Sequence, residues 1–145
     1  MISAVLDANT LVSAILVSLG ISRQILRAAH ERRFACLCST VIVAEVFRTL
    51  ARPRVLRKYA IDPTEIEVLR RFLESPAVSV EITAEVRGVA THSEDDLILA
   101  TAVSAQADYL VTGDRQLQAP SSYRGVAIVS PRQFLTILLA TPGEA

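Results

Sequence analysis

Cysteine and histidine are scarce in this chain, which contains two of each. Cys36 and Cys38 are two residues apart, so in a strand they would share one face but lie too far apart for an easy disulfide. His30 and His92 lack the helical or turn spacing to these cysteines that a zinc site requires. We therefore predict two free thiols in the core of a protein from a reducing compartment.

Long apolar runs, internal repeats and low-complexity tracts are also lacking. The longest uncharged stretch, residues 8–22, is too short to cross a bilayer and contains several polar residues. No basic residue precedes it, and Asp7 stands where a signal peptide is positive, so we expect a cytoplasmic protein without a membrane segment. With 145 residues, 51% of them hydrophobic, the chain can bury a core, and we expect one domain over residues 1–145.

Lysine and aromatic residues are scarce as well. Lys58 is the only lysine, and every other basic residue is arginine. The planar fork of arginine suits phosphate oxygens, which favours a nucleic-acid partner, but a high genomic GC content produces the same bias. Aromatic residues make up 5% of the chain, so recognition by base stacking is not indicated.

Acidic residues are placed where apolar segments have no structural use for a carboxylate. Four positions share this property: Asp7, Glu45, Asp95 and Asp114. Carboxylates gathered out of bulk water repel one another unless protons or metal ions offset their charge, so we predict a shared cation-binding pocket. Each position also has a simpler explanation: Asp95 suits a helix N-terminus, Asp114 suits a turn, and Glu45 suits a helix surface.

Apolar runs alternate along the chain with segments of helical periodicity. We predict strands in residues 2–6, 34–37, 78–82, 109–111 and 126–129. We predict helices in residues 11–19 and 22–33, from Ser39 or Thr40 to Pro53, from Asp62 to Pro76, from Ser93, and from Pro131 to Leu139. This alternation indicates an α/β domain on a mostly parallel sheet. Ligands bind beyond the carboxyl ends of such strands, where Asp7 and Asp114 stand.

A site made of carboxylates alone suits hard cations such as Mg²⁺ or Mn²⁺. These ions lower the pKa of a bound water and stabilise charge on a phosphoryl group. We expect Asp7 and Asp95 to bind the metal directly, and Glu45 and Asp114 to hold coordinated water or a second ion. Two neighbours could orient these carboxylates through hydrogen bonds: Asn9 and Thr112.

The segments that carry these residues resemble PIN-domain ribonucleases, specifically the toxins of bacterial and archaeal toxin–antitoxin pairs. The matching segments are residues 5–13 (VLDANTLVS), 39–45 (STVIVAE), 94–102 (EDDLILATA) and 107–114 (ADYLVTGD). Each is a weak signal alone, but all four occur in the order of the family. One departure is the pair His92–Ser93, where the family favours an acid followed by proline.

The resemblance implies a three-layer α/β/α sandwich and cleavage of RNA that depends on Mg²⁺ or Mn²⁺. It also implies a homodimer and inhibition by a cognate antitoxin. By the family pattern the third site acid is Asp95, and Asp96 is an auxiliary residue that could substitute for it. The choice between these two as the direct ligand stays open.

Every charged residue between Glu45 and Asp62 is basic: Arg48, Arg52, Arg54, Arg57 and Lys58. The net charge of the chain is zero, so setting aside the four site acids leaves a surface that is net basic by four (15 minus 11). We predict that this segment lies beside the catalytic groove and contacts RNA phosphates or acidic residues of an antitoxin. The alternative is a solvated loop with incidental arginines.

Two other functions are compatible with parts of the pattern. Asp7 also resembles the nucleophile of haloacid-dehalogenase-type phosphatases, but Asn9 stands where a second Asp is expected, and residues 116–118 supply no further acid. That class also needs a lysine near the phosphate, for which Lys58 is the only candidate. A receiver domain is excluded because no lysine is well placed after a late strand. A PIN-like domain that binds RNA or a partner without cleaving is disfavoured by the complete set of acids. We therefore predict a metal-dependent endoribonuclease toxin.

Overall fold

The structure is a computed structural model that describes residues 1–89 and 93–141. His92, which departs from the family pattern, lies outside the described residues. The strands are Ser3–Leu6 (β1), Ala35–Leu37 (β2), Tyr109–Val111 (β3), Ser122–Tyr123 (β4) and Val126–Val129 (β5). The helices are Ala8–Leu16 (α1), Ile21–His30 (α2), Thr40–Leu50 (α3), Pro53–Lys58 (α4), Pro63–Glu74 (α5), Ser93–Ser104 (α6), Arg115–Gln118 (α7) and Pro131–Ala140 (α8).

The five strands form one sheet in the order β2-β1-β3-β5-β4. All neighbours pair in parallel except β4, which pairs antiparallel with β5. The predicted α/β class and mostly parallel sheet are thus confirmed, and the helices complete a three-layer α/β/α fold. The central strands are buried on both faces, which explains why their sequences are almost wholly apolar.

The strand order places a reversal of direction beside β1. The chain leaves β1 for β2 on one side and later returns to β3 on the other side. The connections at the carboxyl ends of β1 and β3 therefore diverge, which opens a crevice at this edge of the sheet. We call this place the rim, meaning Asp7 after β1 and residues 112–114 after β3.

Both cysteines are free and buried, as predicted. Burial raises the pKa of the Cys36 thiol above its ordinary range, and the neighbouring Cys38 adds to the effect. Burial also raises the pKa of Cys38 to about 12. Thiols this reluctant to ionise are inert core groups.

The strand predicted in residues 78–82 is wrong. Burial does alternate there, since Val78 is buried and Ser79 exposed. Within the described residues, however, the segment pairs only with Cys38, through a single parallel bridge. The N–H of Cys38 donates to the Val78 carbonyl at 2.9 Å, and the N–H of Val80 donates to the Cys38 carbonyl at 2.8 Å. An alternating pattern without a neighbouring strand along its length produces a bridge and no strand.

Other differences from the predicted elements have local causes. Helix α1 begins at Ala8, directly after the strand, because the side chain of Asp7 caps it. Ser39 is the N-cap residue of α3, but its side chain makes no capping hydrogen bond. The sequence patterns do not predict α4, α7 or β4. Elements of four and two residues, such as α7 and β4, are too short to show periodicity.

In the part of the chain that the structure describes, no single helix is long and apolar enough to cross a membrane. Helices α1 and α2 pass this test only when taken together, and the chain bends by 100° between them.

Candidate active site

Asp7 is a buried carboxylate at the carboxyl end of β1. Its residue is only 6% exposed, and its N–H donates to the carbonyl of Val111 at 3.0 Å. Its Oδ1 accepts the backbone N–H of Thr10 at 2.8 Å, which satisfies one of the unpaired N–H groups at the start of α1. The strand end and the helix start together fix this carboxylate at the rim.

Thr112 holds the other oxygen of Asp7. Because Leu6 pairs with Val111 in the parallel register of β1 and β3, the next residues, Asp7 and Thr112, lie side by side. The fully buried hydroxyl of Thr112 donates to Oδ2 of Asp7 at 2.7 Å. Both carboxylate oxygens of Asp7 are therefore oriented by donors, and each keeps a further lone pair.

Asp114 lies next to this pair on an exposed turn. Its N–H donates to Oγ1 of Thr112 at 3.1 Å, so the Thr112 hydroxyl links the two acidic residues. Oδ1 of Asp114 accepts the N–H groups of Gln116 at 2.9 Å and Leu117 at 3.4 Å, which caps α7. This cap is the structural role expected of a turn residue, and it uses Oδ1 of Asp114.

The charge balance of the rim favours a cation. Burial raises the pKa of Asp7 above its ordinary value; hydrogen bonds from Thr10 and Thr112 oppose this shift, and the charge of Asp114 adds to it. Among the residues that the structure describes, no arginine or lysine forms an ion pair with Asp7. A buried carboxylate beside a second carboxylate is an anionic site that a metal ion can neutralise.

Glu45 and Asp95 stand on helices that pack near this site. Glu45 is half-buried in the second turn of α3, and Asp95 is half-buried in the first turn of α6. Helix α3 packs against α6, and α6 packs against β1. A buried hydrogen bond of 2.8 Å between the hydroxyls of Ser39 and Thr101 joins the two helices.

The four predicted acids do not all meet in the described part of the chain. Within residues 1–89 and 93–141, no three His, Cys, Asp or Glu side chains converge closely enough to hold a metal ion. Asp7 and Asp114 interact electrostatically. Glu45 and Asp95 lie on the neighbouring helices α3 and α6.

Comparison with known families decides the class of this protein. The PIN domain family matches residues 3–116, a segment that includes all four acids. The chain belongs to the PIN-domain family. PIN domains are generally nucleases and typically use divalent metal ions. No curated protein is similar enough to the chain to count as a relative.

Asp96 occupies a different environment in this PIN domain. It is 7% exposed, and its two carboxylate oxygens accept the backbone N–H groups of Gly88 at 3.0 Å and Val89 at 3.2 Å. Asn9, the other residue predicted to support the acids, is exposed and makes no side-chain hydrogen bond within the described residues. Thr112, the third predicted supporting residue, contacts the site acid Asp7.

The basic residues of α3 and α4 form an exposed group that we call the basic segment: Arg48, Arg52, Arg54, Arg57 and Lys58. Within the described residues none of them forms an ion pair, whereas the guanidinium groups of Arg23, Arg70, Arg71 and Arg87 each do. The ammonium of Lys58 lies 5.4 Å from the ring centre of Tyr59. The basic segment thus presents unneutralised positive charge to solvent.

Two contributors to the PIN-domain site were missed in the sequence. Thr10 acts through its backbone N–H, which no side-chain pattern reveals. Thr101 bonds to Ser39 and also donates to the Leu97 carbonyl at 2.9 Å. A fully buried threonine on an otherwise apolar helix face was the available signal for it.

Proposed function

We propose that this PIN domain is a metal-dependent endoribonuclease and the toxin of a toxin–antitoxin pair. The observation that supports it best is the buried carboxylate of Asp7, which Thr10 and Thr112 hold at the rim beside Asp114, with no neutralising basic residue among those that the structure describes. Maintaining such a group lowers stability, so a functional role explains its presence better than a structural one.

The donor chemistry of the rim fits Mg²⁺ or Mn²⁺, because all proposed ligands are carboxylate oxygens. We assign Asp7 and Asp95 as direct ligands, with Glu45 and Asp114 holding coordinated water or a second ion. When bound, the ion would activate a water and stabilise charge on the phosphoryl group. The chain itself orients Asp7 through Thr112 and presents the basic segment to the RNA backbone.

The other parts of the proposal rest on the family resemblance. We propose that the chain forms one domain over residues 1–145, acts in the cytoplasm as a homodimer, and is inhibited by a cognate antitoxin protein. A small reading frame that encodes an antitoxin beside this gene would support the assignment of a toxin.

The nuclease proposal is tested by incubating purified protein with RNA and Mg²⁺ or Mn²⁺. We expect cleavage that EDTA abolishes and that Asp7→Asn and Asp95→Asn also abolish without unfolding the protein. Asp62→Asn is the matched control, because Asp62 also caps a helix through an N–H at 2.9 Å but belongs to α5. Full activity in EDTA would refute the metal mechanism.

The basic segment is tested through the salt dependence of RNA binding. We expect Arg52→Gln with Arg54→Gln to weaken binding and to lower the salt slope by about 1.4, since each phosphate contact on a single strand contributes about 0.7. Arg70→Gln with Arg71→Gln is the control, because those guanidinium groups already pair with Glu74 and Glu67. An unchanged slope in the first variant would contradict the proposed contact with RNA.

A catalytically weak PIN domain that binds RNA or a partner is the second candidate. It is favoured by the lack of three converging metal ligands within the described residues. RNA binding that survives EDTA and Asp7→Asn, without any cleavage, would establish this alternative.

A further inference from the structure

An irregular segment follows α6 in the reverse direction and is fixed to it at one end by Ser104. We call residues 83–89 the strap. The hydroxyl oxygen of Ser104, at the C-terminus of α6, accepts the backbone N–H groups of Thr83 and Ala84, each at 3.0 Å. In the middle of the strap, Arg124 donates to the carbonyl of Glu85 at 3.2 Å. The strap thus begins at the end of α6 opposite to Asp95.

The other end of the strap is fixed to the first turn of α6 by Asp96. Its carboxylate receives the N–H groups of Gly88 and Val89, one on each oxygen. Gly88 has φ +67°, a conformation that few other residues adopt, so the strap makes a tight turn at the carboxylate. Eight residues separate Asp96 from Ser104, so the two attachment points lie about 12 Å apart along the helix.

We propose that Asp96 is a positioning residue, which fixes the strap to the start of α6 and thereby holds the adjacent Asp95 in place for the metal. This inference rests on the proposed nuclease function. Asp95 then contacts the ion directly, and Asp96 contacts the backbone of the strap.

The geometry of the helix separates the two roles. Successive helical residues point about 100° apart, so Asp95 and Asp96 face different sides of α6. Asp96 is buried and directs both oxygens to backbone donors, whereas Asp95 is half-buried at the same turn. A carboxylate held by two N–H groups is a rigid attachment, and a ligand shifted by about 1 Å can lose roughly a hundredfold in rate.

The test compares Asp96→Asn with Ser104→Ala, which releases the opposite end of the same strap. Asparagine keeps the volume of Asp96 but replaces one acceptor oxygen by a donor, so one strap N–H loses its partner. We expect amide hydrogen exchange at Gly88 or Val89 to become about tenfold faster in Asp96→Asn. In Ser104→Ala we expect faster exchange at Thr83 and Ala84 only.

Activity and Mn²⁺ binding then distinguish positioning from mere stabilisation. We expect Asp96→Asn to lower kcat about ten- to a hundredfold with KM for RNA unchanged, and to weaken binding of Mn²⁺ alone. Asp95→Asn should abolish both properties, and Ser104→Ala should change neither by more than about twofold.

Two results would overturn the proposal. One is an Asp96→Asn variant as inactive as Asp95→Asn with unchanged exchange at Gly88 and Val89, which would make Asp96 a ligand. The other is an Asp96→Asn variant that keeps full kcat and Mn²⁺ affinity despite faster exchange. If wild-type protein binds Mn²⁺ but cleaves no RNA, the proposed function fails. The Mn²⁺ affinity of Asp96→Asn relative to wild type then tests the positioning role by itself. If it does not bind Mn²⁺, both proposals fail.

Discussion

Asp7 and Asp96 are equally buried carboxylates that the fold satisfies in different ways. Each carboxylate oxygen of Asp96 accepts a hydrogen bond from a backbone N–H of the strap. Asp7 accepts one backbone N–H and the hydroxyl of Thr112, and it lies near the charge of Asp114. Burial alone therefore does not identify a functional carboxylate, because the surrounding groups determine its role. The two backbone donors on Asp96 are consistent with a structural role, whereas the second anion beside Asp7 supports the proposed cation site.

The largest effect expected in this comparison comes from removing the hydroxyl of Thr112, which donates to Asp7. Thr112→Val keeps the shape of the side chain but removes the donor to Asp7 and the acceptor of the Asp114 N–H. We expect RNA cleavage to fall by about 10- to 100-fold, as for other residues that orient metal ligands. The loss of a buried hydrogen bond should lower the free energy of unfolding by about 1–3 kcal/mol.

Thr101→Val is the control for Thr112→Val, because it removes an equally buried hydroxyl from α6. It should lower stability to a similar degree but reduce RNA cleavage less. Equal loss of activity in both variants would mean that Thr112 contributes only to stability.

The next effect contrasts the two carboxylates in chemical denaturation without metal. The raised pKa of Asp7 means that the folded state holds its proton more tightly than the unfolded chain, so ionisation above that pKa lowers stability. Asp7→Asn removes this charge and keeps a good N-cap, so at neutral pH we expect an unchanged or higher free energy of unfolding. Asp96→Asn should lower it by about 1–3 kcal/mol. Destabilisation of both variants to the same extent would contradict the distinction.

The smallest effect concerns the end of α6 that is far from the site. Gln106 follows this helix with φ +51°, where glycine is unstrained. Gln106→Gly should raise the free energy of unfolding by a few tenths of a kcal/mol, up to about 1 kcal/mol, and should leave RNA cleavage unchanged. A change in cleavage would show that the whole of α6, and not only its first turn, sets the activity.

The parts of the site that the sequence predicted are those fixed by strand geometry. Two apolar runs that end in Asp7 and in Thr112 must meet at one edge of a parallel sheet, and the structure places them in hydrogen-bond contact. The roles of the four acids in metal binding and catalysis stay predictions, because the positions of these residues do not test their chemistry.

The parts that the sequence did not predict depend on the path of irregular chain. The attachment of Asp96 requires Gly88 and Val89 to reach the first turn of α6, and no periodic pattern in the strap specifies that path. The prediction of a strand in residues 78–82 is wrong for a related reason. Their alternating burial is real, but whether a strand forms depends on a partner that the local sequence cannot reveal.

The most direct test of the account is a titration of metal-free protein with Mn²⁺, followed by calorimetry, for wild type and Asp7→Asn. We expect wild type to bind Mn²⁺ and Asp7→Asn, although folded, to show no detectable binding. Equal Mn²⁺ affinity in the two proteins would contradict the claim that the buried carboxylate of Asp7 forms a cation site.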